Sequence, residues 1–262
     1  MPPSVMSPLP FPGHVLTMGS WDSANVRALQ KRLTELGCGP LEEDGVFGAD
    51  TLEAVEFYQV RTVDGHGQPL AVDGRVGPMT WAALFGEATV PPIADPPTPL
   101  AAAVLGVAGK EVGVLEDPIG SNCGPRVNQY LESVGDTGGF PWCAAFVYWC
   151  FQQAASALKI PNPATRTAGA VDVWEEAGAR GIRRVASAEA ADRPGLVQPG
   201  MVFVIATAGG HGHVGLVERV SGVVLTTIEG NTNDGGSREG IGVFRRTTRR
   251  IGQINRGFVD YV

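Results

Sequence analysis

Apolar positions recur at spacings of three and four from Val26 through Leu29, Leu33 and Leu36, with Gln30 beside them. That period predicts an amphipathic helix, and Gly37 and Gly39 mark its end. Residues 143–158 are different, being apolar nearly all round: Phe146, Val147, Trp149, Cys150, Phe151, Ala154 and Leu158. Such a run predicts a buried helix, opening just after Gly138, Gly139 and Pro141, which close the preceding segment. Further on the period changes again. Residues 201–205, 213–218 and 223–229 are short runs rich in β-branched residues, separated by turns that contain Gly, and they predict a meander of neighbouring strands.

Between these patterns lies an internal repeat. Residues 44–55 and 73–84 share the template Asp-Gly-x-apolar-Gly-x-x-Thr-apolar-x-Ala-apolar. The glycines permit a tight loop, and Pro78 suits a first helical position, where no N–H is needed. Each copy therefore predicts a turn that opens a helix. With the first amphipathic helix this makes a compact three-helix bundle. The Asp-Gly loops lack the alternating ligands and the distal Glu of a calcium loop, so metal binding is not expected there.

Residues 88–99 contain five prolines, which continue neither a helix nor a central strand. This segment reads as a linker, extended over roughly 35 to 40 Å at polyproline geometry. The whole chain has 262 residues, 44% of them apolar and 18% charged, enough for two ordinary cores. A net charge of −7 and a pI near 5.1 argue against nucleic acid and anionic membrane as partners. The basic run Arg245-Arg246-Thr247-Thr248-Arg249-Arg250 reads as a solvated hairpin edge. The Pro-rich start shows no basic segment followed by an apolar run, and no apolar stretch of about eighteen residues exists, so neither a secretory signal nor membrane insertion is expected.

The candidate chemistry lies in the C-terminal half. Cys143 opens the buried helix, where unpaired N–H groups and the positive end of the helix dipole favour a thiolate and a developing oxyanion. His213 begins one strand of the meander and Glu229 ends the next, so the acid is placed to accept the second ring N–H and fix the tautomer. Asn231 follows two residues on and shares that face if the chain stays extended. Either one is able to orient the ring; Glu229 is favoured, because an anion supports an imidazolium better than an amide does. Thiol, imidazole and carboxylate in this order suit a cysteine hydrolase. Cys150 reads as structural, His211 as a surface residue, and Cys123 has no assigned role. Four cysteines in so long a chain make no disulfide framework, and Cys143 must stay reduced to react.

The strings Trp142-Cys143-Ala144-Ala145-Phe146-Val147, Pro199-Gly200-Met201-Val202, Gly212-His213-Val214-Gly215-Leu216-Val217 and Glu229-Gly230-Asn231 resemble the CHAP family of cysteine- and histidine-dependent amidohydrolases and peptidases. That resemblance implies a small papain-like α+β domain with the nucleophile helix packed on an antiparallel sheet. It implies Cys143 as nucleophile, His213 as general base and then acid, and Glu229 with Asn231 as the orienting pair. An upstream donor often completes the oxyanion hole in relatives; Asn122, Gln129 and Tyr130 are the candidates here. The segment 23–86 resembles the peptidoglycan-binding domain 1 family through its two turns and through Leu29-Gln30, Ala54-Val55, Tyr58-Gln59 and Thr80-Trp81. Both resemblances point to the same polymer.

The expected organisation is a Pro-rich segment (1–20), a binding domain (21–87), a linker (88–100) and a catalytic domain (101–262). The expected function is peptidoglycan hydrolysis at a wall-peptide amide, by muramoyl-alanine amidase or endopeptidase action, in a phage lysin or an antibacterial effector made in the cytoplasm and delivered to the wall. The rival is a non-catalytic wall-binding or phage structural module with a degenerate fold. No cofactor or metal is expected. The expected partner is peptidoglycan, with an immunity protein or a lysis partner beside it, and the chain is expected to be a monomer.

Overall fold

The computed structural model describes residues 9–65, 68–207, 209, 211–232 and 240–262. Positions 1–8 of the Pro-rich start, and 208 and 210 in the Gly-rich turn before His213, lie outside them. The chain divides into two compact units, Met1–Pro91 with Asp192–Gly195, and Pro92–Ala191 with Leu196–Val262.

The first unit is built on α1 (Ser23–Glu35), α2 (Ala49–Val60) and α3 (Pro78–Phe85). Asp22 caps α1 by accepting from Asn25 N–H at 3.2 Å. Val26, Leu29, Leu33, Phe47, Val55, Trp81 and Leu84 form its core. Leu16 is fully buried there and pairs with Val76, so the end of the Pro-rich segment completes this core. The repeat has a structural cause. Gln30 Nε2 donates to Asp44 Oδ1 (2.7 Å), Val46 O (3.1 Å) and Thr51 Oγ1 (3.2 Å), and Gln59 Nε2 donates to Asp73 Oδ1 (3.0 Å), Arg75 O (2.9 Å) and Thr80 Oγ1 (3.3 Å). Each glutamine also accepts the N–H of its turn glycine, Gly45 at 2.9 Å and Gly74 at 3.0 Å. A helix-borne amide thus satisfies each Asp-Gly turn from inside, where leaving those groups unpaired would cost about 1–3 kcal/mol apiece.

The second unit contains α4 (Pro99–Glu111), α5 (Pro125–Val134), α6 (Cys143–Leu158), α7 (Ala170–Ala179), β1 (Arg183–Ala186), all but the last residue of α8 (Ser187–Asp192), β2 (Val202–Ala206), β3 (Gly212–Ser221), β4 (Val224–Thr232), β5 (Gly242–Arg250) and β6 (Gly257–Asp260). Among the described residues the strands form one antiparallel sheet in the order β1-β6-β2-β3-β4-β5. This is an α+β fold, and the meander expected from sequence is β2-β3-β4.

Period-two alternation gives the sheet two buried faces. Val202, Val204, Val214, Leu216 and Ile228 pack with α6, whose Phe146, Cys150, Phe151 and Ala154 are fully buried. Burying a Phe of this kind contributes about 1.5–3 kcal/mol. Phe203, Val217 and Leu225 pack on the opposite side with Ile251 and Ile254. Gly230 is where β4 meets α6: a Cβ there would stand 2.7 Å from Phe146 and from Trp142. Ile93 in the Pro-rich linker exchanges backbone hydrogen bonds with Val220 at 2.7 and 2.9 Å, so the expected spacer is pinned to the sheet at that point. No helix among the described residues is long and apolar enough to cross a membrane.

Candidate active site

Cys143 is the first residue of α6, and Trp142 before it offers no side-chain cap. The first-turn N–H groups are therefore open, and the backbone N–H groups of Ala144 and Val214 favour the thiolate form of Cys143. Burial alone would raise the thiol. The hydrogen bond and charge of His213, with those two N–H groups, outweigh it and hold Cys143 below the ordinary thiol range.

His213 is the second residue of β3, paired with Ile205 of β2. Its Nε2 lies 2.8 Å from Glu229 Oε2, which leaves Nδ1 for the thiol. Burial opposes its charge, yet Cys143 and Glu229 together push the imidazole up to about 9. Glu229 on β4 is fully buried. Desolvation would raise it, but the hydrogen bonds from His213 and Arg249 bring it down to about 2. These shifts all run toward a thiolate and an imidazolium beside an ionised carboxylate. Gly215 makes the fit possible, because a Cβ there would stand 2.7 Å from Phe203 and 2.8 Å from Glu229.

Two partners of Glu229 carry no local sequence signal. Thr227 Oγ1 donates to Oε1 at 2.5 Å. Arg249, read from sequence as part of a solvated edge, instead donates from Nε to Oε1 at 2.7 Å and from Nη2 to Oε2 at 2.6 Å. Its guanidinium also lies 4.8 Å from the centre of the Phe203 ring. Arg245, in the same run, matches the expectation: it is half exposed and pairs with Glu218.

Asn231 does not share the ring-facing geometry expected of it. The backbone leaves the extended region at this residue (φ 52°), and the β4–β5 register shifts between Glu229 and Thr232. Alternation fails there, and Asn231 Nδ2 donates to Asn122 Oδ1 at 2.6 Å. Asn122, itself at φ 53°, donates its N–H to Glu116 Oε2 at 3.1 Å, and Trp142 Nε1–H donates to Glu116 Oε1 at 2.9 Å. The buried Glu116 thereby ties Trp142, the residue before Cys143, to the loop that meets Asn231.

The other oxyanion candidates are engaged elsewhere. Tyr130 O–H donates to Glu111 at 2.5 Å, and Gln129 Oε1 accepts from Arg126 at 2.7 Å. Neither lines the cleft. Cys150 is buried and its thiol is pushed up, so it is inert, whereas Cys123 lies partly buried in the loop before α5, its sulfur against Gly138.

The cleft over the thiol has a volume of about 500 Å³. Cys143, His213, Asn231 and Arg249 line it, together with Asp136, Phe140 and the exposed His211. It brings a thiol, an imidazole and backbone N–H groups to one wall.

Compared with known protein families, residues 135–231 match the CHAP domain and residues 22–84 match a peptidoglycan binding domain. The first match spans Cys143, His213, Glu229 and Asn231 and ends before Arg249; the second spans both glutamine-held turns. No curated protein and no solved structure matches the chain. Residues 135–231 are thus a CHAP domain and residues 22–84 a peptidoglycan binding domain, the architecture of a peptidoglycan hydrolase.

Proposed function

We propose that this hydrolase cuts an amide bond of the wall peptide with Cys143 as nucleophile. Support comes above all from one observation, the Cys143–His213–Glu229 line-up, in which the acid stands 2.8 Å from the ring and the thiol is held below its usual range. The thiolate attacks the amide carbonyl carbon, and the first-turn N–H groups of α6 receive the oxyanion. His213 returns its proton to the departing amine, which leaves a thioester on Cys143. Water then gives a proton to His213 and attacks the thioester; the intermediate expels Cys143 as the thiolate beside the imidazolium, and the freed carboxylic acid loses its proton to solvent. Throughout, Glu229 keeps the ring aimed and stabilises its charged form.

The first unit supplies wall attachment in this proposal. The scissile bond is the muramoyl-alanine amide, a stem-peptide bond or a cross-bridge bond, all of which offer the same carbonyl chemistry to the thiolate. Mass spectrometry of purified wall after digestion identifies it from the new termini. New amine and carboxyl ends are expected. New reducing sugar ends in their place would overturn the amide assignment.

A further inference from the structure

Glu229 has a charge problem that the Cys–His pair does not solve. His213 is cationic in the resting pair and neutral once its proton has gone to the leaving group, so its support for a fully buried carboxylate comes and goes in each turnover. Arg249 is a cation that does not titrate. It lies on β5, outside the segment matched to the CHAP domain, and its side chain is 11% exposed. Its planar fork occupies both carboxylate oxygens, at 2.7 and 2.6 Å. The groups facing Glu229 are His213 from β3, Arg249 from β5, the uncharged Phe203 from β2 and Thr227 on its own strand, with Cys143 of α6 acting through His213.

We infer that Arg249 is a positioning residue for the reaction: by its two-point grip it keeps Glu229 ionised and its Oε2 aimed at His213 through the steps in which the imidazole is neutral. This rests on Cys143, His213 and Glu229 being the reacting set. A cation held only for folding would leave the chemistry indifferent to the shape of its fork and to the identity of residue 229.

The test uses the full chain carrying Arg249→Met, Arg249→Lys, Glu229→Gln and the Met/Gln double substitution. One readout is kcat and KM on soluble wall fragments. The other, independent of turnover, is the pH dependence of Cys143 alkylation by iodoacetamide, followed by mass spectrometry of the Cys143 peptide. Arg249→Met is expected to lower kcat by about 10- to 100-fold, the usual scale for a group that orients a reacting one, with KM unchanged. The acid limb of Cys143 alkylation should move to higher pH, because Glu229 without its fixed cation takes up a proton sooner. Arg249→Lys keeps the charge without the fork, so the limb stays in place while kcat recovers only in part. In the Glu229→Gln background, Arg249→Met should cost little more.

Three results would overturn the inference: Arg249→Met with wild-type kcat and limb, a raised KM at unchanged kcat, which would make Arg249 a substrate-binding group, or a full additional loss in the Glu229→Gln background. If Arg249→Met does not fold, Arg249→Lys decides, and wild-type kcat in that variant rejects the role. Wild-type protein that cuts no wall fragment would reject the proposed function instead, and the alkylation limb would still report on Arg249.

Discussion

His213 Nε2 and Glu229 Oε2 face each other across β3 and β4 at 2.8 Å, while Asn231, two residues beyond Glu229, turns to Asn122. The two polar residues that close β4 are therefore divided between two networks. One fixes the imidazole. The other joins the loop before α5 to the end of β4 and, through Glu116, to Trp142 beside Cys143.

Glu229→Gln keeps the shape of the acid and removes its charge, so the imidazolium loses its support. The rate on solubilised wall should fall by about 10² to 10⁴, as in a triad whose acid is neutralised. Asn231→Ala should cost less, since its amide meets Asn122 and not the ring. A larger loss for Asn231→Ala would reverse the two roles.

The pH dependence follows from the same three groups. His213 is raised from 6.5 to about 9, so the stability it contributes is whole below 6.5 and is lost as pH rises through about 9. Glu229 is lowered from 4.5 to about 2, so its contribution is whole above 4.5 and is lost as pH falls through about 2. In the proposed reaction the imidazolium must also be present to protonate the leaving amine. Activity should accordingly hold through neutral pH and decline on the alkaline side near 9. An alkaline limb near 6.5 in the pH–rate profile would mean that the ring is unsupported.

Gly215 is the narrow point of the site. Gly215→Ala would set a Cβ 2.7 Å from Phe203 and 2.8 Å from Glu229, and both neighbours lie in a packed interior. The acid has to move or the strand has to shift, at about 1–3 kcal/mol of stability for overpacking. The turnover rate should fall with the wall affinity of the full chain unchanged. A variant as fast and as heat-stable as the wild type would show that the contact is relaxed.

Cys143, His213 and Glu229 were legible in sequence because each sits where a local period starts or stops: a helix opening after Gly138-Gly139 and Pro141, a strand start, a strand end. Glycines at 215 and 230 stand in the same strings, but their reason is the close approach of Phe203, Glu229, Phe146 and Trp142, which only packing reveals. Asn231 misled because alternation presumes an extended chain, and its φ of 52° breaks it. Arg249 was hidden for a different reason. In a run of four arginines and two threonines, nothing local separates a solvated arginine from one that points inward. Its place is set by pairing with Leu225 across β4–β5, next to a register shift. In the first unit the repeat was visible, whereas the part played by Gln30 and Gln59 is a contact at 14 to 21 residues' separation.

The most direct test removes one sulfur atom. Purified sacculi are incubated with wild-type protein and with Cys143→Ala, released fragments are quantified by mass spectrometry, and protein bound to the sacculi is measured in the same samples. The substitution is small and lies outside the peptidoglycan binding domain at residues 22–84, so wall binding should be equal for the two proteins. Fragments with new amide-derived termini should appear with the wild type and be absent with Cys143→Ala. Cleavage by Cys143→Ala near the wild-type rate would contradict a thiolate mechanism at this site.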